Sequence, residues 1–245
     1  MGNHEYDASK SQSCSTKQLK SKIRRGYRKR SKYGIIKSLT MVGTNSAGII
    51  KKRESLFHIV NKLKPSVITI QETKLSHYGT IGLPGYSVFE HLRENRDGGG
   101  LLTAIHSSID PDPAVIPTEA DVDLLVVHCR IGSLKIRVIN GYGPQEDEEV
   151  IKIDNFWQSV EAEIECAKQD DFLILIQMDA NAKIGCKHIK KDPNSMSHNG
   201  QILLDLIHRQ GLQIGNTSSK CSGVITRERI LQNRVEKSVI DYFIL

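Results

Sequence analysis

No apolar run in the 245 residues approaches the ~20 needed to cross a bilayer, which excludes a membrane-spanning helix, and no membrane partner is expected. The N-terminus is polar and basic and lacks the apolar core of a signal peptide, so nothing marks the chain for secretion and an intracellular protein is expected. Cysteine is scarce and badly placed for cross-linking or metal capture. Cys14, Cys129, Cys166, Cys186 and Cys221 are odd in number, far apart and without a C-x-x-C pair, so free thiols are expected and a zinc site is not. The nine histidines include no H-x-x-x-H spacing. A bound metal is therefore expected to be a hard ion held by oxygen. There is no internal repeat.

What the sequence does carry is an uneven charge. The net charge is +6, but residues 1–37 hold eleven Lys and Arg against Glu5 and Asp7, a net of +9 that leaves −3 on the rest. This basic tail has almost no apolar periodicity and is expected to be disordered, ahead of one domain over residues 38–245. Within it Lys20, Lys22, Arg24, Arg25, Arg28, Lys29 and Arg30 gather around two tyrosines, Tyr27 and Tyr33. Cations interleaved with tyrosine suit phosphate contacts and base stacking, or nuclear import; a solvated spacer has the same composition. A mildly acidic body that handled phosphate would need a cation to reconcile it with its substrate.

Hydropathy then alternates between strand and helix. A short strand is read over residues 39–42. A helix from Arg53, with Leu56, Ile59, Val60 and Leu63 on one face, ends before Pro65. Residues 66–70 form a strand that runs into Gln71, Glu72 and Thr73. Three glycines at 98–100 open a strand over 101–105, and residues 124–129 pair with 134–140 across Gly132 and Ser133 as a hairpin ending at Gly141-Tyr142-Gly143-Pro144. A helix over 154–168 carries Phe156, Trp157, Val160 and Ile164, its acidic lead-in at 146–149 complementing the helix N-terminus. Another helix, with Ile202, Leu203, Leu206 and Ile207, stops at Gly211, and residues 239–245 form a last strand bearing Asp241.

The chain turns on residues 172–185. Phe172 to Ile176 are all apolar and read as a strand buried on both faces, which delivers Asp179 and Asn181 to the rim of a sheet. If extension continued through them, alternation would place both on one side: a carboxylate able to take a proton beside an amide able to orient an oxygen. An Asp-x-Asn after a strand is also an ordinary turn. Four other strands, however, empty into a polar residue at a comparable place, namely Asn45, Glu72, Tyr142 and Asp241, as a single site built from many strands would.

Taken in this order and at these separations, Asn45, Gln71-Glu72-Thr73, Gly141-Tyr142-Gly143-Pro144, Met178-Asp179-Ala180-Asn181 and Ile240-Asp241-Tyr242-Phe243-Ile244-Leu245 resemble the endonuclease/exonuclease/phosphatase (DNase I-like) superfamily. Within it the likeness is greatest to the apurinic/apyrimidinic endonuclease-like domains of non-LTR, LINE-type retrotransposons. The resemblance implies an α+β fold, a four-layered α/β-sandwich of two packed mixed β-sheets flanked by helices. It also implies roles: Glu72 as the main Mg2+ ligand with Asn45 beside it, Mn2+ being an alternative ion; Tyr142 on the scissile phosphate; Asp179 orienting or deprotonating the attacking water; Asn181 positioning Asp179 and touching the phosphate; and Asp241 steadying a catalytic histidine. The implied partners are DNA and, in a full reading frame, a reverse transcriptase.

Two departures matter. Where the family's DNA-contacting turn often carries an aromatic residue after Thr, this chain has Thr226 followed by Arg227. The family also ends its domain with Ser-Asp-His and a further core strand, whereas this sequence ends at Leu245, so the domain is expected to be incomplete at its C-terminus. The expected activity is Mg2+-dependent nicking of target DNA, impaired in this chain. The alternatives are a superfamily phosphatase or phosphodiesterase acting on a small phosphoester, and an inactive nucleic-acid-binding relic.

Overall fold

The computed structural model describes residues 39–75, 80–93, 99–117, 122–189, 193–218, 225–231 and 234–245. The basic tail, including Lys20, Lys22, Arg24, Arg25, Arg28, Lys29 and Arg30, lies outside the described residues. In chain order the elements are β1 (Met41–Asn45), α1 (Arg53–Leu63), β2 (Val67–Gln71), β3 (Tyr86–His91), β4 (Leu101–His106), β5 (Asp110–Pro117), β6 (Leu124–Ile131), β7 (Leu134–Tyr142), α2 (Val150–Gln169), β8 (Leu173–Asp179), α3 (His198–Gln210), β9 (Arg227–Leu231), β10 (Arg234–Ser238) and β11 (Asp241–Ile244).

Two mixed sheets form the core. The first runs β1-β2-β4-β3, with β1 parallel to β2 and the other pairs antiparallel. The second runs β11-β8-β7-β6-β5, with only β7 and β8 parallel. Because strand residues alternate between faces, each central strand serves two layers. Ile68, Ile70, Leu102 and Ala104 face α1, against Leu56 and Val60. Val67, Leu101 and Ile105 meet Leu125, Val127, Ile136, Val138 and Leu175 between the sheets. Val126, Ile139, Ile174, Ile176 and Met178 face α2 and α3, against Phe156, Trp157, Val160, Leu203 and Ile207. Three apolar seams thus separate four layers, the sandwich that the family likeness implies.

The hairpin β6–β7 turns at Gly132 and Ser133, and α3 ends at Gly211 in the left-handed conformation, as read from the sequence. Helix α2 starts at Val150, four residues earlier than expected, because Val150 and Ile151 point to solvent and carry no burial signal. Its acidic lead-in makes no side-chain cap; Glu148 and Glu149 pair with Lys152 instead. Strand β5 is not legible in the sequence because Pro111, Pro113 and Pro117 argue against a strand. It is tolerated as the edge of the second sheet, with a register shift between Asp112 and Val115. The ribbon β9–β10 stands apart from both sheets and exposes a cross-strand apolar pair, Ile230 and Val235. The outer edge of β11 is covered: Gln213 and Leu245 exchange two backbone bonds, and Asn216 holds Asp241 O and Phe243 N.

Candidate active site at one end of the sheet interface

The register of the second sheet aligns three of the expected residues. Tyr142 stands opposite Asp179, and Asp179 opposite Asp241, on the ends of β7, β8 and β11. Asn45 and Glu72 arrive from the first sheet, at the ends of β1 and β2. The two sheets meet through one amide. Asn45 Nδ2 donates to Glu72 Oε1 at 2.8 Å and to Asp179 Oδ2 at 2.7 Å. Carboxylates only accept, so this amide orientation follows from chemistry, and Asn45 Oδ1 accepts from Ala47 N at 2.9 Å. Asn45 therefore acts here as a donor clasping two carboxylates, and its oxygen is engaged by the backbone.

Asn181 reaches the site differently from expectation. Strand β8 ends at Asp179, and Asn181 is left-handed at φ 46°, so a turn, and not alternation, places it. Its backbone N donates to Asp179 Oδ1 at 3.2 Å, and its side-chain amide donates to Gly143 O at 2.8 Å. The exits of β7 and β8 are pressed together: Gly143 N donates to Asp179 O, and a Cβ on Gly143 would sit 2.4 Å from Ala180 O. Ala47, Glu72 and Lys74 are also left-handed. A non-glycine residue held there costs about 1–3 kcal/mol, and such strain gathers where side chains must be aimed.

Electrostatics follow from crowding carboxylates in a half-dry place. Burial pushes the Asp179 carboxyl above its ordinary range; Asn45 and the Asn181 N–H oppose the rise, Glu72 adds to it, and Arg227 opposes it. Burial, and then the charge of Asp179, raise Asp241 to about 7. Its Oδ1 is buried without a hydrogen bond among the described residues. The Tyr142 phenol is pushed up by burial and by the charges of Glu72 and Asp179. Thr226, expected to face nucleic acid, spends its hydroxyl on the N–H groups of Ile240 and Asp241 at 3.0 and 3.2 Å; Arg227 beside it is exposed.

Sequence reasoning overlooked the cleft beside Tyr142. It has a volume of about 510 Å³ and is lined in part by Arg93, Asp123, Gln145, Glu148 and Lys152. Arg93 pairs with Asp123 and lies 5.8 Å over the Tyr142 ring, while Gln145 Nε2 is 3.5 Å from the phenol oxygen. Only Gln145, three residues after Tyr142, carried a signal in its spacing.

Among the described residues no group of three or more His, Cys, Asp or Glu is placed to hold a metal. The donor set still fits a hard divalent ion. Glu72 is 21% exposed, and its Oε2 has the half-exposed ammonium of Lys74 at 3.5 Å, a partner that a cation could displace. An ion that keeps most of its own water needs one or two carboxylates.

No protein-family model matches the sequence, and no curated protein matches it significantly. Solved structures do match. The endonuclease domain of TRAS1, a telomere-specific non-LTR retrotransposon, superposes with a TM-score of 0.61 at 17% identity, over 84% of each chain. The 3'-5' exonuclease NExo from Neisseria meningitidis gives 0.61 at 12% identity, over 84% of this chain and 85% of that one. The AP endonuclease LMAP from Leishmania major gives 0.63 at 15% identity, over 84% of this chain and 78% of that one. Four layers, two mixed sheets and a carboxylate-lined end between them give this chain the endonuclease/exonuclease/phosphatase, or DNase I-like, fold.

Proposed function

We propose that the chain hydrolyses phosphodiester bonds in DNA with the help of Mg2+, or Mn2+, as a target-nicking endonuclease of the retrotransposon type. The observation that carries this reading is the Asn45 clasp, which ties Glu72 to Asp179 while Tyr142, Asn181 and Asp241 converge on the same end of the interface. Support also comes from the solved neighbours, among them an endonuclease domain, an exonuclease and two proteins bound to DNA products.

A cation at Glu72 Oε2 would supply charge neutralisation for the phosphate as the pentacovalent transition state forms. The chain's own groups do the rest. Asp179, whose charged form the Asn45 amide and the Asn181 N–H favour against the effect of burial, orients and deprotonates the attacking water. Tyr142 and the Asn181 amide offer donors to the phosphate oxygens. The buried Oδ1 of Asp241 marks the place where a further donor would be steadied. The basic tail adds sequence-independent affinity and suits nuclear import. A reverse transcriptase would extend the 3′ hydroxyl left at the nick.

The test is conversion of supercoiled plasmid to nicked circle with Mg2+, against a chelator control, by the parent chain, Glu72→Gln and Asp179→Asn. Nicking that needs the cation and falls at least ~100-fold in both variants is expected. Absence of nicking by the parent, or nicking that survives Asp179→Asn, sinks the assignment. Phosphate release from a phosphomonoester without plasmid nicking would favour the small-phosphoester reading.

A further inference from the structure

Facing side chains in a two-sheet sandwich form an apolar seam, and over most of this interface they do. At the end nearest the site the filling changes. Thr69 and Gln71 on β2, Thr103 on β4, Asn140 on β7 and Gln177 on β8 are all at most 1% exposed. Gln177 Oε1 accepts from Thr69 Oγ1 at 2.5 Å and from Gln71 Nε2 at 2.6 Å. The same Gln71 nitrogen donates to Asn140 Oδ1 at 2.6 Å, and Asn140 Nδ2 continues to Leu102 O at 2.9 Å and Thr103 Oγ1 at 3.3 Å. Gly43 on β1 makes room, since a Cβ there would lie 2.2 Å from Gln177 Cδ.

Stability does not explain this arrangement. Buried polar groups cost free energy unless bonded, and Gln71 Oε1 has no partner among the described residues. Apolar side chains of the same shape would hold the sheets as well. Placement is more telling. Asn140 is two residues before Tyr142, Gln177 two before Asp179, Gly43 two before Asn45, and Gln71 immediately precedes Glu72. The site is assembled from both sheets, so distances among its members are distances between sheets. Apolar packing is non-directional, whereas hydrogen bonds fix both distance and angle.

We propose that the buried amide relay Asn140–Gln71–Gln177, anchored by Thr69, is a positioning device that sets one sheet against the other so that Glu72 and Asp179 stand on either side of Asn45. The proposal rests on the phosphodiesterase reading of the site. Its members touch no substrate; they act through the residues that do.

The test uses the full chain with Gln71→Met, Gln177→Met and the double variant, methionine keeping the shape without the amide. Each single variant should lose stability, having stranded a partner. Adding Thr69→Val and Asn140→Leu to the double variant should recover much of it, because the relay is then removed whole and neither the Thr69 hydroxyl nor Asn140 Oδ1 is left without its partner. The kcat of this fourfold variant for plasmid nicking should stay ~10- to 100-fold below the parent, the order lost by a misplacement of about 1 Å, with KM for DNA held within about twofold. Recovery of kcat together with stability would overturn the proposal and leave the relay structural only. A second readout needs no turnover: the side-chain amide resonance of Asn45 should shift or broaden in the fourfold variant while backbone signals of α2 do not. An unmoved Asn45 resonance overturns the proposal. A parent that does not nick DNA sinks the functional reading alone, and the Asn45 signal still decides this one.

Discussion

Replacing Asp241 by asparagine should stabilise the fold at pH 8 and leave it nearly unchanged at pH 4. Asp241 is raised from 3.8 to about 7, burial being the larger cause and the Asp179 charge the second. Between these values the native state holds a proton that the unfolded chain has released. Unfolding stability therefore falls as pH rises through this window, being free of the cost below pH 4 and bearing all of it above pH 7. Each tenfold difference in proton affinity between the folded and unfolded chain is worth about 1.4 kcal/mol, which puts the cost at about 4 kcal/mol. Part of it belongs to the interaction with Asp179, so Asp241→Asn should gain about 2–4 kcal/mol at pH 8. Urea denaturation of parent and variant from pH 4 to pH 8, with chelator present, reads this as a difference that widens with pH. A pH-independent difference, or a variant less stable at pH 8, would refute a buried, destabilised carboxylate at this position.

The remaining expectations concern other parts of the molecule. Glu163→Ala should cost about 3–5 kcal/mol in thermal or urea denaturation, because it strands Arg137, which is 2% exposed and has no partner at Nε or Nη1 among the described residues; Arg137→Met with Glu163→Leu should recover most of the loss. Gly143→Ala should lower nicking more than stability, since the added methyl meets Ala180 O and parts the exits that carry Tyr142 and Asp179; undiminished nicking would show that this close approach is not needed. Deleting residues 1–37 should flatten the salt dependence of DNA binding, at roughly −0.9 in log–log slope per phosphate neutralised, and an unchanged slope would move the binding cations into the body.

By itself the sequence determined what is local or periodic. Apolar runs marked β2, β4 and β8, helical spacing marked α1, α2 and α3, and Gly132-Ser133 marked the hairpin. The ordered motifs named Asn45, Glu72, Tyr142, Asp179, Asn181 and Asp241, all six of which the fold gathers at one end. Only the tertiary structure decided how they meet. Register between β7, β8 and β11 put Tyr142, Asp179 and Asp241 in one row, and register is a property of pairs of strands that no single strand encodes. Inter-sheet packing made Asn45 a clasp between two carboxylates, and engaged the Thr226 hydroxyl with the backbone of β11. The left-handed turn at Asn181 replaced the extension that alternation assumed. Gln71, Asn140 and Gln177 stood in plain view inside apolar strands. Their meaning depended on facing one another across 69 to 106 residues of chain, a separation that only folding closes.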